Sequence, residues 1–167
     1  MRVGDGMMLG MELNPYASFL VDSEPLAVLG ATTAKLHELT GKMSEQQIEA
    51  PIAAGKWNVR QIVTHLADCE LAFGFRLRQA LTGMESQPFD QDAWSRTYKA
   101  YTLAAALDLF TAARRWNLLF LGALSAADKE IAVTHPERGT MRLWTIAETM
   151  AGHDRNHLAQ LEKVANA

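Results

Sequence analysis

Apolar residues recur every three or four positions through four long stretches of this chain, and nowhere do apolar and polar residues alternate long enough to build a sheet. That spacing lines one face of an α-helix, so the pattern predicts an all-α fold. The first stretch runs from about Pro25 to Lys42, with Leu26, Leu29, Thr33, Leu36 and Met43 on its inner face. Pro25 suits a first turn and Gly41 an exit. Ser44 to Ala50 adds a short turn before Pro51. The second helix has a capping-box start, Asn58 with Gln61 three residues on, and runs to about Leu81 with Gly83 past its end. Its stripe is Val59, Ile62, Val63, Leu66, Cys69, Phe73, Leu77 and Ala80.

A polar loop from Gly83 to Asp92 follows, with a short helix expected around Trp94 to Tyr98. The third helix is expected from Thr102 to about Leu124, with Leu103, Leu107, Phe110, Phe120 and Leu124 inward and Asn117 on the same side. Ser125 to Arg142 holds Pro136 and Gly139, and Val133 to Arg142 reads as extended chain or a small hairpin. Thr145 and Glu148 then read as a capping box opening a fourth helix that ends near Val164. Helices of roughly 18–24 residues are about 27–36 Å long, the dimensions of a four-helix bundle. The connections after the second and third helices are long, so a simple up-down-up-down chain does not follow.

Composition narrows the function classes. The chain has 167 residues, 49% hydrophobic and 21% charged, enough apolar material for a packed core and too much for a disordered chain. The net charge of −3 offers no basic stripe for a phosphate backbone, so no nucleic-acid partner is expected. The one cysteine, Cys69, excludes an internal disulfide and a CxxC zinc framework, which fits a reducing, cytoplasmic setting. The longest apolar run, Leu118 to Leu124, is far too short to cross a bilayer, so no membrane partner is expected either. Met1 to Gly10 lacks the apolar core of a signal peptide and reads as a flexible leader. Translation starting at Met11 would leave 11–167 as a single domain.

The histidines carry the chemistry. On a wheel of about 100° per residue, Leu143, Ile146, Met150, Leu161 and Val164 all lie within about 80° of His153. His157 falls inside the same arc, so both imidazoles face the bundle, one turn apart. His65 lies at the edge of the second helix's stripe, beside Ile62 and Cys69. A buried imidazole has two polar nitrogens, and an unpaired one costs about 1–3 kcal/mol. One divalent cation accepts a nitrogen from each of His65, His153 and His157 at once, and the second nitrogens then need other partners. The bland alternative for the His153 and His157 pair is two core or edge histidines hydrogen-bonded to neighbours.

Other residues have two readings each. Cys69 is a fourth ligand or a small buried hydrophobe. Asp68 orients a ligand or accepts a proton, or is a solvated or arginine-paired carboxylate. Asp154 is expected to pair with Arg60 or Arg76. His135, in the loop with Pro136, Glu137 and Arg138, reaches over the site as a general acid or base, or is exposed, the commoner state of a loop histidine. His37 is expected at the surface. Trp57, Trp94, Trp116 and Trp144 line a pocket or, more commonly, pack in the core or against a second subunit.

The stretch Lys56-Trp57-Asn58-Val59-Arg60-Gln61-Ile62-Val63-Thr64-His65-Leu66-Ala67-Asp68 resembles the second-helix signature of the DinB-like (YfiT/DinB) superfamily. Ala151-Gly152-His153-Asp154-Arg155-Asn156-His157-Leu158-Ala159-Gln160 resembles its fourth-helix signature, and Pro88-Phe89-Asp90-Gln91-Asp92-Ala93-Trp94 a recurring loop. The resemblance runs from about Asn14 to the C-terminus. It implies a four-helix bundle with long connections, a zinc or nickel ion on His65, His153 and His157, and a plausible homodimer. It also implies relatives that are thiol-dependent transferases or metal-dependent hydrolases acting on small molecules, some with a low-molecular-weight thiol as cofactor. From the residues alone the metal stays open among zinc, nickel, copper and iron. Three histidine ligands leave coordination positions open, as catalytic sites do. The alternative is a non-catalytic bundle stabilised by its metal, closed by a fourth ligand such as Cys69 or Asp68, or a dimeric interaction protein. No residue identifies a substrate.

Overall fold

A computed structural model of the chain describes residues 13–135 and 138–167. The expected leader, the alternative start at Met11, and Pro136 and Glu137 lie outside the described residues. The elements in order are α1 (Pro25–Gly41), α2 (Glu45–Glu49), α3 (Val59–Leu81), α4 (Gln91–Ser95), α5 (Leu103–Ala123), α6 (Ala126–Lys129), β1 (Ala132–His135), β2 (Gly139–Arg142) and α7 (Leu143–Ala165). Two 3₁₀ turns, Ala17–Leu20 and Tyr98–Ala100, complete them. The fold is a four-helix bundle of α1, α3, α5 and α7, with one small antiparallel hairpin that pairs Val133 with Met141.

Contacts between the long helices define their order. α1 packs on α5 and α7, and so does α3, which leaves α1 and α3 facing each other across the bundle's diagonal. Glu70 meets Arg114 while Arg78 lies over Phe120, so α3 and α5 run parallel. Thr32 meets Asp154 and Lys35 meets Glu162, so α1 and α7 run parallel too. His65 meets His157 while Phe73 meets His153, so α7 runs against α3. Parallel neighbours cannot be joined by a tight turn. The long α3–α5 connection, which carries α4, is the consequence.

Local sequence explains where the helices begin. Ser44 and Asn58 each cap their helix with a reciprocal glutamine three residues later, and Thr102 caps α5 through Ala105 N–H. The fourth long helix departs from expectation. It opens at Leu143, so Thr145 and Glu148 sit inside its first turns rather than capping it. The reason is the hairpin: β2 runs straight into α7, Leu143 N–H donates to Ile131 O at 2.8 Å, and the Leu143 side chain is fully buried. Glu148 instead faces Arg142 at 3.4 Å.

Two apolar clusters fill the interior. One joins Leu29, Leu77, Leu121, Leu143 and Met150; the other joins Leu36, Ile62, Leu66, Phe110 and Leu161. On all four helices, the residues lying between these clusters are polar and buried: Thr32, Glu70, Arg114, Asn117 and Asp154. The inner faces of α1 and α5 therefore differ from the expected ones. Thr32, not Thr33, is buried because its hydroxyl donates to Asp154 Oδ2 at 2.7 Å. On α5 the centre is Ala106, Phe110, Arg114, Asn117 and Leu121, while Leu103, Leu107, Phe120 and Leu124 are only partly covered.

Arg114 is the middle of this layer. Its Nη1 donates to Asp154 Oδ2 at 2.6 Å and to Leu29 O at 3.0 Å, and its Nη2 donates to Glu70 Oε1 at 2.6 Å. Asp154 thus pairs with Arg114, not with Arg60 or Arg76. Arg60 is taken by Glu49 at 2.7 Å, and Arg76 donates to the Gln87 carbonyl at 3.0 and 3.1 Å. Arg114 stands on the stripe that continues Phe110, which put it out of reach of any reading restricted to apolar positions.

Candidate metal centre

The polar layer sits one residue from the histidines. Asp154 follows His153 on α7, and Glu70 follows Cys69 on α3, so the pairing with Arg114 fixes the rotation of both helices that carry imidazoles. His65, His153 and His157 are all buried and converge: His153 Nε2 lies 3.0 Å from His65 Nε2 and 3.2 Å from His157 Nε2. All three offer one nitrogen within 4.8 Å of the others.

The proton inventory does not support hydrogen bonds at both of these contacts. His157 Nδ1 is 3.0 Å from Gln160 Oε1, an acceptor, so the His157 proton sits on Nδ1 and its Nε2 presents a bare lone pair. His153 Nε2 faces both other Nε2 atoms and can donate at most one proton. A shared cation resolves this. Two nitrogens each about 2.0–2.1 Å from one ion, at tetrahedral or right angles, stand about 2.9–3.4 Å apart, which spans the observed separations.

Burial also keeps the rings neutral. The His65 pKa falls from 6.5 to about 3, first through burial and then through the charge His157 would carry. Burial likewise pulls His153 well below its ordinary value, reinforced by His157, His65 and Arg114, and it lowers His157. Neutral imidazole is the form that binds metals.

The surroundings of the cluster are mostly aromatic. Tyr16 meets His153 edge-on with centroids 5.2 Å apart, Phe73 does so at 6.0 Å, and Trp57 packs against His65 at 5.0 Å. Tyr16 can come this close because residue 152 is glycine: a Cβ there would stand 2.5 Å from the Tyr16 carbonyl oxygen. Two cavities reach the cluster. One of about 170 Å³ touches His65 and His153 and is walled by Tyr16, Phe73 and Phe89. The other, about 450 Å³, touches His157 and is lined by Trp57, Lys56 and Gln160. Gln91 borders both.

The remaining sequence candidates separate clearly. Cys69 Sγ lies 3.5 Å from His65 Nε2 and 4.0 Å from His153 Nε2. Burial, then the Glu70, Asp154 and Asp68 carboxylates, push its pKa well up, so it is a thiol. Asp68 is half-buried beside Tyr98, and its carboxyl is raised by burial, against the pull of the Tyr98 hydroxyl. It touches the cluster only indirectly, since Tyr98 packs on Trp57 and Trp57 on His65. His135 corrects the exposed-loop reading: it ends β1, is 5% exposed, and lines the smaller cavity. The hairpin register carries it inward, with His135 opposite Gly139. His37 is exposed, 3.2 Å from Thr111 Oγ1. Trp94 packs on Phe89, Trp144 lies under Lys129, and Trp116 is exposed.

A diagonal four-helix bundle with three inward imidazoles on two facing helices defines a recognisable class of helical protein. The sequence matches the DinB superfamily over residues 29–161, and the chain belongs to that superfamily. It is 32% identical over 124 residues to an Oceanobacillus iheyensis protein named "Putative metal-dependent hydrolase", with 71% of each chain covered. A Bacillus licheniformis protein of the same name is 33% identical over 135 residues, covering 76% of this chain and 75% of its own. Among solved structures, YfiT from Bacillus subtilis superimposes with a TM-score of 0.79 at 25% identity, covering 85% of this chain and 84% of its own. YfiT is described as "a probable metal-dependent hydrolase with an unusual four-helix bundle topology".

Proposed function

We propose that this protein is a metal-dependent enzyme acting on a small molecule, with His65, His153 and His157 as the ligands of one zinc or nickel ion. The observation that carries this reading is the trio of Nε2 atoms, 3.0 and 3.2 Å apart, with too few protons to satisfy one another. A divalent cation bound there supplies Lewis acidity and activates a water or a thiol near neutral pH. Tyr16, Phe73 and Phe89 wall the smaller cavity beside His65 and His153. His135 lines that cavity, which supports a role for it in taking or returning a proton.

Hydrolysis is the primary reading, supported by the names of the relatives. A second reading, transfer of a low-molecular-weight thiol to an electrophile, is favoured by one feature: two separate cavities meet at one cluster, room for two different reactants. We place the enzyme in the reducing cytoplasm, consistent with its free buried cysteine. No helix of the described residues is long and apolar enough to cross a membrane. We also propose a homodimer through the exposed apolar side chains of α3 and α5, among them Phe75 and Trp116, 58% and 66% exposed.

Elemental analysis of tag-free protein, purified without a nickel column, tests the metal reading. The expected content is about one equivalent of a single transition metal, lost in His157→Ala with the helical circular dichroism retained. Less than about a tenth of an equivalent after incubation with zinc, nickel and manganese would overturn it.

A further inference from the structure

The smaller cavity continues past the histidines into a narrow recess of about 10 Å³, room for a single water-sized group. Phe73, Arg76, His135, Arg138 and Thr149 line both the cavity and the recess, which makes them one continuous space. Ser86 lies at its inner end, 1% exposed, and its hydroxyl has no hydrogen-bond partner. The backbone holds it there, since Ser86 N–H donates to Thr134 O at 3.2 Å. A buried hydroxyl without a partner costs about 1–3 kcal/mol, which a partner in the recess would restore.

Two guanidinium groups, those of Arg138 and Arg76, line the same space as that hydroxyl. Arg138 brings a guanidinium, whose charge is felt at the Tyr16 hydroxyl across the cavity. Arg76 is anchored with Nε and Nη2 on the Gln87 carbonyl, its guanidinium carbon 6.0 Å from the Phe73 ring centroid. His135 adds an imidazole. The Thr149 hydroxyl is committed to Thr145 O at 2.7 Å.

We propose that the recess and the cavity wall beside it form an anion subsite: one oxygen of a carboxylate, phosphate or sulfonate enters the recess to meet the Ser86 hydroxyl, and Arg138 holds the rest of that group, the other end of the small molecule meeting the three histidines. The position of the reactive end rests on the metal reading above; the anion subsite itself does not. A cavity of about 170 Å³ holds roughly six water volumes, so the molecule is short, with one end on the histidines and the other on Ser86.

Calorimetric titration of the full chain tests this with succinate as the probe and succinamide as its neutral control, on zinc-loaded and on metal-free protein. Succinate is expected to bind at one site per chain and succinamide not to. Arg138→Gln should weaken succinate by about tenfold, the scale of one charge-assisted hydrogen bond, with Arg138→Lys recovering part of it. Ser86→Ala should weaken it by about threefold. Zinc content and circular dichroism are read on every variant, to separate a lost subsite from a lost fold. Equal binding of the two probes, no succinate binding, or an Arg138→Gln affinity within twofold of the parent would overturn the proposal, leaving the recess a water site. If no protein retains zinc, the metal reading fails, and the metal-free titration still decides the subsite.

Discussion

Replacing Arg114 with methionine is the sharpest test of how the bundle is held. The guanidinium is 1% exposed and joins two carboxylates whose side chains are 2% and 3% exposed. Methionine fills much of the same volume but leaves Glu70 and Asp154 buried without their cation. Breaking a buried pair from one side costs about 3–5 kcal/mol, against roughly 5–15 kcal/mol of total stability for an ordinary domain. Thr32 still donates to Asp154 and Asn117 Nδ2 to Glu70 Oε2 at 3.1 Å, so the low end of that range is expected. At about 2–4 °C per kcal/mol for a chain this long, melting falls by about 6–12 °C. Urea unfolding measures the loss directly. The triple variant Glu70→Gln, Arg114→Met, Asp154→Asn removes all three charges and should recover most of it, because a neutral layer has no ion to strand. A loss below about 1 kcal/mol in the single variant, or a triple variant less stable than the single, would refute the view that the charges depend on one another.

Three further outcomes follow from the site. Metal-free protein should lose stability as pH falls below 6.5, because the unfolded chain binds protons that folded His65, with a pKa of about 3, refuses. At pH 5 that one residue accounts for about 2 kcal/mol, and His65→Gln should make the urea-midpoint profile between pH 6.5 and 4 less steep, with His153 and His157 supplying the slope that remains. Gly152→Ala drives a methyl into the Tyr16 backbone, costing about 1–3 kcal/mol, and amide exchange over Ala17–Leu20 should quicken more than in the bundle core. Cys69→Ala should keep its full metal content, since the three imidazoles supply the ligands; loss of metal in this variant would make Cys69 a fourth ligand.

The sequence was legible where one physical rule governs a stretch. Asn58 and Gln61 mark the start of α3 because a capping box needs only its own four residues. The inward turn of His153 and His157 was legible because helical spacing alone decides it. Legibility failed where partners come from afar. Nothing within α7 tells Asp154 to choose Arg114 over Arg60 or Arg76; that choice depends on the parallel run of α3 beside α5. The start of α7 was misread because Thr145 and Glu148 match a cap motif while the hairpin's bond from Leu143 to Ile131 sets the boundary. His135 looked like a loop residue for the same reason, its burial being a property of the hairpin register. Ser86 is illegible for a related reason: a lone serine in a polar loop carries no signal until its surroundings close over it.

Charge balance links the polar layer to the cavity. Three neutral imidazoles add nothing to a dication, so metal binding would bring a net charge of two into a buried space. The layer of Arg114, Glu70 and Asp154 carries one cation and two carboxylates, a net of minus one, and it begins one residue from His153. That layer alone would offset one of the two charges, and Arg138 lines the cavity on the other side of the histidines. With a metal bound, an anion entering from that side would be attracted by it as well as by Arg138, in a medium where charges are weakly screened. The same field disfavours a cationic ligand. Selectivity for anions over neutral molecules should therefore be larger in the metal-loaded protein than in the metal-free one, and the paired succinate titrations measure that difference.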